Sequence, residues 1–172
     1  MTVPVEGASA PAPPMTVPPS PEEEAVITAT NRQAACMALA AAAFGILGAF
    51  QVWVNITIAG FSPPGSTQSG WDGGDGRTIV VAGGVAIVGA AALLIGRRDL
   101  WVKVVLLIAG ATTGIIAIVN MVDAGSKAHD IQVQFGIPSG DVHAQIGIGL
   151  FMVVICGIVL LAAGLRMRTA SQ

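Results

Sequence analysis

Four long apolar runs leave this chain almost no way to fold in water. They cover residues 34–60, 78–95, 100–122 and 144–165, and none holds Asp, Glu or Arg in its central stretch. A helix needs about 20 apolar residues to cross a hydrocarbon layer of roughly 30 Å. The second run, at 18 residues, sits near the lower limit. A charge at mid-helix would oppose insertion by about 2.5–3.5 kcal/mol. Lys103 lies near the start of the third run, where its stem can reach the interface. The pattern predicts an all-α fold, a four-helix transmembrane bundle with the lipid bilayer as its solvent.

Composition agrees. Only 10% of the residues are charged, against about 25% in a soluble domain. That excludes an ordinary soluble enzyme domain and a disordered regulator. The net charge of −2 offers no basic surface for nucleic acid. The first apolar run exceeds the usual apolar core of a signal peptide and follows a long acidic stretch, so it is expected to be a retained helix.

Residues 1–33 contrast with this. They hold seven of the ten prolines, the cluster Glu22, Glu23 and Glu24, and no aromatic residue. Proline at that density opposes regular helix, and little apolar surface is available to offset the ordering entropy. An extended or disordered cytoplasmic tail is expected, able to lie along a partner. Residues 34–165 then form the transmembrane domain, and residues 166–172 a short cytoplasmic tail.

Orientation follows from Lys and Arg, which are retained on the cytoplasmic side. An even number of spans puts both termini and the turn at 96–99 on one side. That side collects Arg32, Arg97, Arg98, Lys103, Arg166 and Arg168, and the other only Arg77 and Lys127. The expected cytoplasmic face carries net +1 and the outer face net −3. The inner (cytoplasmic) membrane is the expected location.

Small residues recur at four-residue spacing: Ala41, Gly45 and Ala49; Ala82, Ala86 and Ala90; Gly110 and Gly114. In lipid, such rows let helix backbones approach closely. Trp53 and Trp101 fall near span ends and fit interfacial anchors.

Chemistry-bearing residues are sparse. The spans hold no buried acid or His of the kind that couples transport to protons or ions. The outer loops hold the clustered polar groups: Trp71, Asp72 and Asp75 in the first, His129 and His143 with nearby acids in the second. The glycine-rich first loop lacks the calcium-loop spacing, and Asp141-x-His143 is too short a pattern to define a zinc site. Cys36 and Cys156 fall in spans and read as packing residues. No catalytic residue, cofactor or metal site is expected.

One pattern runs from Gly48-Ala49-Phe50-Gln51-Val52-Trp53 through Ser69-Gly70-Trp71-Asp72-Gly73-Gly74-Asp75-Gly76 to Gly147-Ile148-Gly149-Leu150. Over residues 35–165 it resembles small four-helix integral membrane proteins of actinobacteria, a group without a general activity. The resemblance implies an accessory subunit of a large envelope complex, such as a respiratory supercomplex or a lipid-import machine. The expected function is therefore a non-catalytic accessory or assembly subunit, contacting larger membrane-protein subunits through helix faces and the N-terminal tail. The alternatives are a small membrane sensor or stress protein acting through its acidic outer loops, or a small transporter or channel component.

Overall fold

The structure, a computed structural model, describes residues 20–63, 66–138 and 140–169. Its elements in chain order are α1 (Pro21–Phe50), β1 (Val52–Ile58), β2 (Thr67–Ser69), α2 (Asp75–Leu94), α3 (Leu100–Phe135), β3 (Val142–Ile146) and α4 (Ile148–Arg166). Each of the four helices is long and apolar enough to cross a membrane. α1 packs on α2 and α4, and α3 packs on the same two, so the helices close into a ring.

Three sequence expectations are corrected. The first concerns the tail. Residues 21–33 are helical and continuous with the first span. Ser20 explains this. Its side chain accepts from the Glu23 amide while the Glu23 carboxylate accepts from the Ser20 amide, a reciprocal capping box. Pro21 falls at the first helical position, where a missing amide costs nothing. Glu22, Glu23 and Glu24 then face the positive end of the helix dipole. The Pro-rich stretch 1–19 lies outside the described residues, as do 170–172.

The second correction concerns the first apolar run, read as helix to residue 60. The helix stops at Phe50, and residues 52–58 form a strand; residues 144–146, expected to open the fourth span, likewise fall in β3, and that helix starts at Ile148, so the chain is mostly helical but not all-α. Apart from Asn55, Val52-Trp53-Val54-Asn55-Ile56-Thr57-Ile58 is built of β-branched and aromatic residues, which favour a pleated surface. β1 is the centre of an antiparallel sheet ordered β2-β1-β3. On one side Val54 pairs with Ile146 and Ile58 with Val142; on the other Val52 pairs with Ser69, across a bulge.

The third concerns α3. Its helix runs on from the expected end near residue 122 to Phe135, through a stretch expected to be loop. Ala124 and Ala128 are buried on this extension, and α3 packs against β3. Polar residues such as Lys127 and Asp130 stay exposed. An amphipathic, alanine-containing helix is stable there without being apolar all round.

Packing divides into two layers. Toward the end holding residues 95–99, Ala35, Ala38, Ala42, Ala86, Ala90, Leu106, Leu160 and Ala163 form one core. Toward the sheet, Ala49, Trp53, Val54, Ile79, Ala117, Leu150 and Val153 form the other. Of the small-residue rows, Ala41, Gly45, Ala49, Ala86, Ala90 and Gly110 are buried, and Ala82 and Gly114 are half-buried. Gly45 lies against the Cys156 side chain, and a Cβ on Gly110 would stand 2.8 Å from the Leu161 amide nitrogen and 3.0 Å from the Gly157 carbonyl. α3 and α4 therefore touch backbone to backbone.

α2 ends on Gly96, with φ +92°. The Arg97 amide donates to the Ala92 carbonyl and the Gly96 amide to Leu93, a Schellman closure that reverses the chain into α3.

Two glycine substitutions separate the contact from the composition. Gly110→Ala should strain the α3–α4 seam by about 1–3 kcal/mol, beyond the roughly 1 kcal/mol that alanine gains in helix propensity. Gly114→Ala meets nothing within 4 Å and should be neutral or stabilising. Thermal unfolding in mild detergent should show a lower midpoint for the first and not for the second.

Candidate functional site

The polar residues collect at the two ends of the helix ring. The sheet, the loop 70–74 and the α3 extension make a folded cap at one end, which holds the best-defined site. Trp53 organises it. The ring is 3% exposed, and its indole nitrogen donates to the Gly48 carbonyl at 2.9 Å. Trp53 is therefore not an exposed anchor with its N–H free for headgroups: it sits beneath the cap, closing the last carbonyls of α1. Gly70 crosses directly over the ring, where no side chain would fit.

From Gly70 the loop turns back tightly. The Ser69 hydroxyl donates to the Asp72 carboxylate at 2.7 Å, and the Ser69 amide donates to the same oxygen at 3.3 Å. These hydrogen bonds, the side-chain one first, hold the Asp72 carboxyl below its usual value. Trp71 stacks on Phe50 with ring centres 4.9 Å apart, and the Arg77 guanidinium lies 5.5 Å over the Trp71 ring. The loop is thus tied to the ends of both α1 and α2.

Asp75, in the first turn of α2, accepts from the Asn120 side chain at 2.8 Å. One turn further along α3, Lys127 pairs with Asp123 at 3.1 Å. Between these groups lies a polar cavity of about 210 Å³, walled by Trp53 and lined by Gln68, Asp75, Asn120, Asp123 and Lys127. Its two carboxylates and one ammonium leave it net negative. Each of these charges already has a partner, so the cavity suits water or a small polar solute rather than proton abstraction or nucleophilic attack.

The structure brings Trp71, Asp72 and Asp75 into one cap but leaves the histidines out of the cavity. His129 is exposed on the α3 extension, and His143 is exposed on β3, its carbonyl receiving the Thr57 hydroxyl at 3.4 Å. Among the described residues, no group of three or more His, Cys, Asp or Glu side chains is placed to hold a metal. Asn120, Asp123 and Lys127 were missed in the sequence because their stretch read as span end and loop. Asp123 and Lys127 at i and i+4 carried the helical signal.

The opposite end is basic. The Arg98 guanidinium donates to the Thr28 hydroxyl at 2.6 Å. The Asn31 side chain, 3% exposed, clasps the Arg168 backbone in both directions, at 3.0 and 2.9 Å. Residues 167–169 are therefore pinned to α1, with Met167 and Thr169 buried. Trp101 opens α3 at this end and is 77% exposed. Cys36 and Cys156 are both free thiols.

These features define a multi-pass membrane protein with a folded cap. No known protein family, curated relative or solved structure matches the chain.

Acid should loosen the cap. A carboxyl held below its ordinary value contributes stability above the unfolded pKa, about 4, and loses it as pH falls through the lower folded value. The cap, followed by tryptophan fluorescence, should weaken below about pH 4. Asp72→Asn should weaken it at neutral pH and flatten that part of the acid response. An unchanged acid profile in Asp72→Asn would remove Asp72 from the account.

Proposed function

We propose that the chain is a non-catalytic accessory or assembly subunit of a larger inner-membrane complex, with both termini in the cytoplasm. The orientation is supported by charge. The end with residues 95–99 collects Arg32, Arg97, Arg98, Lys103, Arg166 and Arg168, and the cap end has Arg77 and Lys127. Positive residues are retained on the cytoplasmic side.

The observation that carries the reading is a pair of overhangs. Asn120 pairs with Asp75 at the start of α2, yet α3 continues to Phe135, about 22 Å further at 1.5 Å per residue. At the basic end, Thr28 meets Arg98, and α1 extends about 10 Å past it to Pro21. Both overhangs carry exposed apolar side chains: Val133 at 70% and Val26 at 55%. Phe61, beyond the end of β1, is 67% exposed. In a bilayer matched to the 20 residues of α2, these positions would lie beyond the acyl chains. Apolar side chains on projections into water support subunit contacts.

The polar cavity favours a second reading, a small membrane sensor acting through its acidic outer face. The two readings separate on isolation. Gentle extraction of the tagged chain should recover larger membrane subunits in fixed stoichiometry, and Val133→Glu or Val26→Glu should deplete them without lowering the chain's own unfolding midpoint. Recovery of the chain alone, or only with itself, would overturn the accessory reading.

Orientation has its own measurement. In a Cys36→Ala background, a membrane-impermeant maleimide should label Ser126→Cys in intact cells and Gln33→Cys only after lysis. The reverse pattern would invert the topology.

A further inference from the structure

A groove of about 560 Å³ runs between α2 and α3 on the outer surface of the helix ring. Val81 and Val88 of α2 and Val105 of α3 line it, so its lining is almost wholly hydrocarbon. Gly84 leaves it open, because a Cβ there would meet nothing within 4 Å. From Val81 to Ala92 the groove follows α2 for about 17 Å, a length comparable to an extended acyl chain.

The groove is polar at only one end. There it meets the turn between the two helices, with Arg97, Asp99 and Trp101 at its mouth. The Arg97 Nε donates to the Asp99 carboxylate at 3.0 Å, and the side chain is 71% exposed. That bond uses one edge of the guanidinium and leaves the Nη groups for a second anion. The neighbouring charge does not compete, since Arg98 turns to Thr28 on α1. Trp101 is placed as indoles are at headgroup level, with an apolar ring and one N–H donor.

We propose that this groove binds one anionic glycerophospholipid, an acyl chain lying over Gly84 and the phosphate seated on Arg97. A guanidinium matches a phosphate with two parallel donors, and a strongly hydrated ammonium does not. Phosphatidylcholine offers the same phosphodiester, so the selection falls on the rest of the headgroup: Arg97 repels the choline ammonium, and an anionic headgroup carries no such charge. Asp99 tempers the selectivity, since its carboxylate shares the guanidinium and repels the phosphate. The proposal is independent of the accessory-subunit reading, because it needs only that this end meets a lipid headgroup layer.

The test is native mass spectrometry of the full chain in mild detergent, supplied with equal phosphatidylglycerol and phosphatidylcholine. One phosphatidylglycerol should be retained about tenfold over phosphatidylcholine, the scale of one like-charge repulsion at a partly exposed site. Arg97→Gln should abolish the preference, and Asp99→Asn should raise it. Gly84→Leu should lower retention of both lipids; leucine also favours helix over glycine, and an unchanged unfolding midpoint confirms the fold. If Gly84→Leu fails to fold, the opposite signs of Arg97→Gln and Asp99→Asn decide the matter. Equal retention of the two lipids overturns the proposal. So does a preference that survives Arg97→Gln, one lost in Arg98→Gln instead, or a second copy of the chain in place of lipid.

Discussion

The hydrogen bond from the Trp53 indole to the Gly48 carbonyl is the joint on which the cap depends. It closes α1 with a side chain from three residues beyond the helix, so the chain can leave the helix at residue 51. Two other segments converge on the same place. Gly70 crosses the ring, the Gly147 amide donates to the Trp53 carbonyl at 2.7 Å, and Gly149 packs against Gly48, Gln51 and Trp53. The end of α1, the centre of the sheet, the loop 70–74 and the start of α4 thus meet at one tryptophan. Each of those glycines stands where a Cβ would collide, which is why the convergence can be this close.

The two ends solve opposite problems with the same economy. Between them the helices are held by apolar and backbone contact, because lipid supplies no hydrophobic drive for helix association. Apart from Thr112 and Thr113 within α3, with the Thr113 hydroxyl buried and unpaired, the polar side chains that join the helices stand at the ends. At the basic end Asn31 replaces the missing helical partners of the Arg168 backbone, and at the cap Asn120 spans Asp75 and its own helix carbonyl at Ile116. Asn31 uses a donor and an acceptor on one short arm, and Asn120 donates its amide N–H groups to two acceptors, which suits each to a junction between elements.

The helices were legible in the sequence because apolar length is a coarse signal that needs no partner. The sheet was not, because Val52 to Ile58 continue the hydropathy of α1 without a break. Only the shift from alanine-rich to β-branched residues marks the change, and it is decided by Trp53 finding a carbonyl five residues back. The helical start at Pro21 was hidden by the prolines before it, although Ser20 and Glu23 carry the capping signal in plain view. The cavity was illegible for a different reason. Gln68 and Asp75 lie 45 residues or more from Asn120 and Lys127 in sequence, and only the handover at residue 51 folds β2 back toward α3.

Glycine spacing shows the limit most clearly. Gly110 and Gly84 look alike in the sequence, each a small residue inside an apolar helix. Gly110 is used to bring α3 onto the Gly157 carbonyl of α4, whereas Gly84 faces empty space beside α3. One makes a tight seam and the other an open groove. The difference comes from which way each helix is turned, and that follows from the joints at the ends: the cap holds α1, α3 and α4 at one level, and the Gly96 turn sets α2 against α3 at the other. The groove is therefore a consequence of how the ends are tied. Its polar mouth falls at the basic end because the turn that creates the opening is also the segment that carries Arg97.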